Sequence, residues 1–185
     1  TILDLACGEG RYTFLLKELG LRVVGLDLSE DLLMYGKEKY PGLNFIKGDM
    51  REIPGKYHIV LSLFTSFGYF DTLHENVKVL TSIFGVLNDG GIFWLDYLNK
   101  AYVAKNLIST SQSRISANIE VIENRRIVSG RIVKDICFKR DGETKRYKES
   151  VYLFSKEQLE KMFVSSGFRL QNCFGDYSGN AWKFN

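Results

Sequence analysis

Along its first hundred residues the chain alternates between two hydrophobic periods. Residues 2–6 form a short apolar run interrupted only by Asp4, which predicts a buried strand. Arg11 to Leu19 then carry apolar side chains at Tyr12, Leu15, Leu16 and Leu19, the spacing of a helix face, and Gly20 ends it. A second strand is predicted in 21–29, with Ser29 as the cap of a helix whose first turn holds Glu30 and Asp31. "LNFIKGDM" (43–50) supplies a third strand and "YHIVLSLFTSF" (57–67) a fourth, nearly continuous in apolar residues, as expected where helices cover both faces. A helix over about 73–87, with Leu73, Val77, Leu80, Phe84 and Leu87 as its apolar set, precedes a turn and fifth strand in 88–99. Strand alternating with helix predicts a doubly wound, mostly parallel α/β sheet.

The period then changes. From 114 to 154 the chain reads as successive period-2 segments, with Ile115, Ala117, Ile119 and Val121 on one face and "SG" (129–130) and "DG" (141–142) as hairpin turns. The reading is one domain over 1–185, with an antiparallel insertion after the fifth strand that serves as a lid over a substrate site. Ser155 and Gln158 form a capping box for a helix that ends at Gly167, and "FRLQNCF" (168–174) is read as a further strand.

Composition narrows the partners only a little. The formal net charge of +3 lacks the basic excess of a dedicated nucleic-acid binder. Ten basic residues against five acids in 114–148 read first as a solvated strand face. No apolar stretch approaches the roughly 18 residues of a membrane span. Cys7, Cys137 and Cys173 are widely spaced, which supports neither a disulfide framework nor a metal site and suits a reducing cytoplasm. Thr1 stands where a strand is already under way, so a longer natural protein is expected.

The chemistry is concentrated at the strand ends. "ACGEG" (6–10) joins the first strand to the first helix through small residues, the form of a turn that lets a ligand approach the backbone. A ligand-free tight turn and a dinucleotide site compete as explanations. A dinucleotide fingerprint wants a third Gly or Ala where Thr13 stands, and a Walker loop is excluded because no Gly-Lys-Ser/Thr follows. Asp27 closes the second strand about 17 residues beyond Gly10, at the distance where a carboxylate accepts both hydroxyls of a ribose. The third strand also ends in an acid, Asp49, suited to an exocyclic adenine amine, while Leu28 and Met50 are placed to sandwich the ring. Together these describe one adenosine with a short tail and no pyrophosphate.

The same residues resemble the class I S-adenosylmethionine-dependent methyltransferases. "ILDLACGEG" is similar to their first motif, "VVGLDLS" to the second-strand acid, "GDM" to the adenine motif and "LNDGGIFWL" to the turn before the fifth strand. Ala6 stands for the usual first Gly, Glu9 for a Thr and Asp89 for a Pro. The resemblance implies S-adenosylmethionine as cofactor, with its methionine part against Ala6 and Gly8, Leu63 beside it, and Phe64 and Tyr69 facing the methyl acceptor. It implies transfer to a nitrogen, oxygen or carbon of a small molecule. An RNA or protein acceptor is the alternative within enzymes, disfavoured for nucleic acid because the Asn/Asp-Pro-Pro-aromatic and Pro-Cys motifs are absent. From other classes, a nicotinamide oxidoreductase or a non-catalytic cofactor-binding module stay open. Asp4 is read as organising the turn, Cys7 as filler and His58 as structural. His74 is not assigned as a base, and no catalytic side chain is identified.

Overall fold

The computed structural model describes residues 1–182. The contacts of the described residues divide the chain into two compact units, one made of residues 1–67, 71–97 and 161–170, the other of 68–70, 98–160 and 171–182.

The first unit is built on five strands, β1 (Ile2–Leu5), β2 (Val23–Asp27), β3 (Phe45–Lys47), β4 (Tyr57–Ser62) and β5 (Leu87–Leu95). All pair in parallel, in the order β3-β2-β1-β4-β5. The order reverses between β1 and β4, and ligands of such sheets bind where the strands leave this point. Leu3, Leu5, Leu26 and Val60 are at most 1% exposed, because both faces of the central strands are covered. Between β4 and β5 the register slips after Tyr57↔Leu87 and resumes at Ile59↔Ile92, so Asn88 to Gly91 bulge out of the ladder. β5 therefore starts earlier than the sequence pattern predicts.

Three helices connect these strands, α1 (Arg11–Glu18), α2 (Glu30–Lys39) and α3 (Leu73–Val86). Ser29 caps α2 as expected, its hydroxyl accepting from the Leu32 amide at 3.3 Å. Thr72 and Glu75 close a reciprocal capping box on α3. The expected helix faces need correction. In α3 the buried positions are Asn76, Val79, Leu80, Ile83 and Val86, and Leu73 and Phe84 stay about half exposed. The helix carries two apolar stripes, and periodicity alone could not choose between them. In α1 the buried residue is Thr13, while Leu15 and Leu19 are exposed.

The second unit begins with a short helix that the sequence pattern missed, α4 (Lys100–Asn106), capped by Asn99. An antiparallel meander follows, made of β6 (Thr110–Ser116), β7 (Ile119–Val128), β8 (Arg131–Arg140) and β9 (Glu143–Tyr152). It starts at 110 rather than 114. Both predicted hairpins form as two-residue turns, closed by the pairs Val128↔Arg131 and Arg140↔Glu143. Their central residues, Ser129 with Gly130 and Asp141 with Gly142, all have positive φ, the mark of the type I′ turn. Ile115 and Ile119 do not continue one strand face, because a turn at Ala117–Asn118 folds β6 back onto β7. Arg131 clamps residues 68–70 to this unit: its guanidinium donates to the carbonyls of Tyr69 and Phe70 and to Ser150, and lies over the Tyr152 ring.

α5 (Lys156–Ser165) starts from the predicted Ser155–Gln158 box, with the Ser155 amide donating to Gln158 Oε1 at 2.8 Å. The strand expected over 168–174 does not form. Only an isolated bridge between Phe174 and Ala181 appears, since Phe168 turns back to pack on Phe84, Phe93 and Phe163.

Candidate functional site

The turn after β1 is dense with left-handed backbone: Ala6 (φ 57°), Gly8 (φ 57°) and Gly10 (φ 82°). Ala6 adopts this region although it carries a Cβ, at a penalty of about 1–2 kcal/mol. Two kinds of demand for small residues separate here. A Cβ on Gly10 would lie 2.4 Å from the Phe45 ring, and Cβ atoms on neighbouring Gly25 and Gly36 would strike Cys7 Sγ at 2.7 Å and the Glu9 carbonyl oxygen at 2.3 Å. Those glycines let β2 and α2 close against the turn. Gly8 differs, since a Cβ there would meet only Leu32 Cδ1, at 4.0 Å. The space over Gly8 is open, and α1 begins just beyond it without a side-chain cap or a first-turn acid. Uncapped first-turn amides favour a negatively charged group.

Beneath the turn lies Asp4, 3% exposed, accepting the Thr13 hydroxyl at 2.7 Å. Burial raises its pKa to about 6 against the opposing pull of the Thr13 hydrogen bonds. Asp4 thus ties β1 to the first turn of α1, an organising contact made to Thr13. Burial also pushes the Cys7 thiol up, with Asp4 and Asp27 adding to the shift, so this cysteine stays protonated and unreactive.

Two further strand ends carry the predicted acids. Asp27 Oδ2 accepts the Gly8 amide at 2.7 Å and Oδ1 accepts the Ser29 amide at 2.8 Å, leaving lone pairs on both oxygens. This bond brings the glycine turn and the second-strand acid together directly. The Gly48 amide donates to the Asp27 carbonyl at 3.0 Å, which carries Asp49 to the neighbouring position. Asp49 is not a bare acceptor. Arg51 forks it, with Nη2 on Oδ2 at 2.6 Å, and holds its carboxyl below the ordinary carboxylate range. Leu28, next to Asp27, is 67% exposed, an apolar surface left at a strand end; Met50 is half-buried.

Leu63 and Phe64 leave β4 at the switch point. Phe64 and Thr65 are both left-handed, at φ 53° and 58°. Asp96, just past β5, holds them: its carboxylate accepts the Phe64 amide at 3.0 Å and its carbonyl accepts the Thr65 amide at 3.2 Å. The Phe64 ring packs on Tyr12 of α1, centroids 4.7 Å apart. Tyr69 falls in the second unit, where burial and then the Glu149 charge raise its phenol. His58 and His74 are exposed. Sequence reasoning missed Arg51, Asp96 and Thr13. An arginine two residues past a strand-end acid was the legible sign of the first.

A methionine-tailed adenosine fits these groups. Gly8 leaves room for a tail, Asp27 keeps acceptor capacity against the turn, and Leu28 offers an apolar face. The comparisons agree. Residues 2–91 match the methyltransferase domain family. A curated relative from Streptomyces venezuelae, dTDP-3-amino-3,4,6-trideoxy-alpha-D-glucopyranose N,N-dimethyltransferase, is 27% identical over 194 residues, covering 97% of this chain and 79% of that one. Among solved structures, an S-adenosylmethionine-dependent methyltransferase from Clostridium acetobutylicum ATCC 824 superposes with TM-score 0.85 at 19% identity, covering 99% of this chain and 78% of that one. The S-adenosylmethionine-bound amino pentose methyltransferase CalS10 of Micromonospora echinaspora does so with TM-score 0.70 at 19% identity, covering 97% and 79%. Together these findings support the resemblance to the class I S-adenosylmethionine-dependent methyltransferases. The chain is an enzyme, and S-adenosylmethionine is its cofactor.

Proposed function

We propose that this enzyme methylates an amine on a small molecule. The relatives named for amino-sugar substrates support the amine, and the observation that carries the cofactor half is the Gly8–Asp27 bond beneath open space. In this reading Ala6 and Gly8 face the methionine part, Asp27 takes the ribose hydroxyls, Leu28 and Met50 flank the adenine, Asp49 accepts its amine, and Leu63 lies beside the cofactor. Phe64 and Tyr69 serve the acceptor. The cofactor supplies a methyl group on a sulfonium for in-line displacement.

The chain's contribution is alignment, which can supply on the order of 7–11 kcal/mol. An amine must arrive neutral to attack, and no side chain is assigned as its base. The antiparallel unit is proposed as the lid of the acceptor side within one methyltransferase domain. It carries Tyr69, held through the Arg131 clamp. Among the described residues no helix is long and apolar enough to cross a membrane, and the three cysteines are free, which supports a cytoplasmic setting.

Thermal shift tests the cofactor. S-adenosylhomocysteine at a hundredfold over its dissociation constant is expected to stabilise the protein by about 2.7 kcal/mol, and NADH to have no effect. A shift with NADH alone overturns the assignment. Asp27→Ala is expected to weaken S-adenosylhomocysteine by about 1.5–3 kcal/mol for each charged hydrogen bond lost, read by calorimetric titration. Turnover across a panel of amines, phenols and carboxylates then tests the acceptor; methylation of phenols alone would overturn the amine.

A further inference from the structure

We propose that Arg51 is a positioning residue of the cofactor site: it locks the Asp49 carboxylate in one orientation, and so sets the enzyme's preference for a purine carrying a six-amino group. The proposal rests on the reading of Asp49 as the adenine acceptor.

The geometry is that of a clamp. Asp49 Oδ1 accepts from the Arg51 backbone amide at 2.8 Å and from Nε at 3.0 Å; Oδ2 accepts from Nε at 3.1 Å and from Nη2 at 2.6 Å. A guanidinium engaged on both oxygens fixes the carboxylate plane as well as its charge, which a lysine cannot do. Arg51 is itself held from behind. Its Nη1 donates to Glu75 Oε1 at 2.7 Å, and the other oxygen of Glu75 accepts the Thr72 hydroxyl at 3.0 Å in the capping box of α3. The chain Thr72–Glu75–Arg51–Asp49 therefore runs from the start of a long helix to the end of β3. Gly48 ties the same strand end to Asp27.

An isolated surface ion pair orders little. A pair anchored at both ends can hold a carboxylate still, with its remaining acceptor capacity directed one way. A fixed anionic acceptor discriminates. It accepts from an amine donor and repels a carbonyl at the same position, and a site built to pair with a donor rejects the analogue that lacks it. Without the clamp, Asp49 keeps only the amide bond of its own turn and can rotate away from either group.

Calorimetric titration with S-adenosylhomocysteine and S-inosylhomocysteine, in which oxygen replaces the amine, reads this directly. The wild type is expected to prefer the adenosine compound by about a hundredfold. Arg51→Gln should bring the ratio below about tenfold, and Arg51→Lys to an intermediate value. A merely structural arginine would shift the melting temperature and leave the ratio intact. The full ratio in Arg51→Gln overturns the proposal; should that variant fail to fold, the full ratio in Arg51→Lys does so. Asp49→Asn separates the two levels. It presents an amide donor and should shift the preference toward inosine. If it moves the ratio while Arg51→Gln does not, the clamp alone is wrong. If Asp49→Asn leaves the ratio unchanged, the adenine assignment fails and takes the clamp with it.

Discussion

The two units of the chain achieve order by opposite means. In the parallel unit, atoms are placed by backbone brought into close contact with its neighbours: Gly10 lies against the Phe45 ring, Gly25 against Cys7 Sγ and Gly36 against the Glu9 carbonyl, with no room for a methyl group, and the strand-end acid Asp27 is held by specific amides. In the antiparallel unit, order comes from long paired strands and tight reversals. Its buried row is short, chiefly Val121, Val133, Ile136 and Val151. Around that row run half-exposed ion pairs such as Lys134–Glu149 at 2.7 Å, each worth little alone. A unit of the first kind is intolerant where it does chemistry. One of the second kind accepts surface change and is intolerant only at its turns.

The largest expected effect that sharpens this contrast concerns Asp4. Its native pKa of about 6 lies above the ordinary 3.8, so the native state binds this proton more tightly than the unfolded chain does. The penalty for burying the charge is full above pH 6 and fades as pH falls toward the unfolded value. Asp4→Asn can still accept the Thr13 hydroxyl. Its stability relative to wild type should therefore be greater by about 2–3 kcal/mol at neutral pH than near pH 4, measured by urea unfolding at both. Carboxylates held low by partners, such as Asp49, behave alike in the two proteins and cancel. No pH dependence in the difference would show that the charge is already relieved.

Next come two helical glycines with opposite signs. Gly36→Ala should destabilise by about 2–3 kcal/mol, because its methyl group meets the Glu9 carbonyl. Gly85→Ala in α3 meets nothing within 4 Å and should stabilise by about 0.5–1 kcal/mol. Smallest is the turn test. Gly142→Ala, at φ 85° in open space, should cost about 1 kcal/mol, and an effect near zero would mean that the hairpin does not enforce its turn.

These particulars also show what was legible beforehand. The alternation of strand and helix that gives a parallel sheet, the caps at Ser29 and Ser155 and the two dipeptide turns follow from local patterns and chemistry, so the sequence revealed them. Which stripe of α3 faces inward depends on what lies opposite, and two apolar stripes left that undecided. The strand expected at 168–174 had the right alternation but lost to an aromatic cluster assembled from Phe84, Phe93 and Phe163. In the candidate site, Asp27 stood out as an acid closing a strand and Gly8 as part of a run of small residues just past one. Asp96 acts through a contact with Phe64, 32 positions away, and the anchor behind Arg51 is Glu75, 24 positions away, neither of which spacing announces.

Phe64 and Thr65 carry this reasoning into motion. Two consecutive side-chain-bearing residues in a disfavoured conformation, retained by bonds to Asp96, make the exit of β4 the place where the parallel unit gives way at least expense. Breathing is expected to start at that corner, with the Phe64 amide trading its proton for deuterium ahead of those inside the neighbouring ladder and Asp96→Asn hastening it, as read by hydrogen exchange.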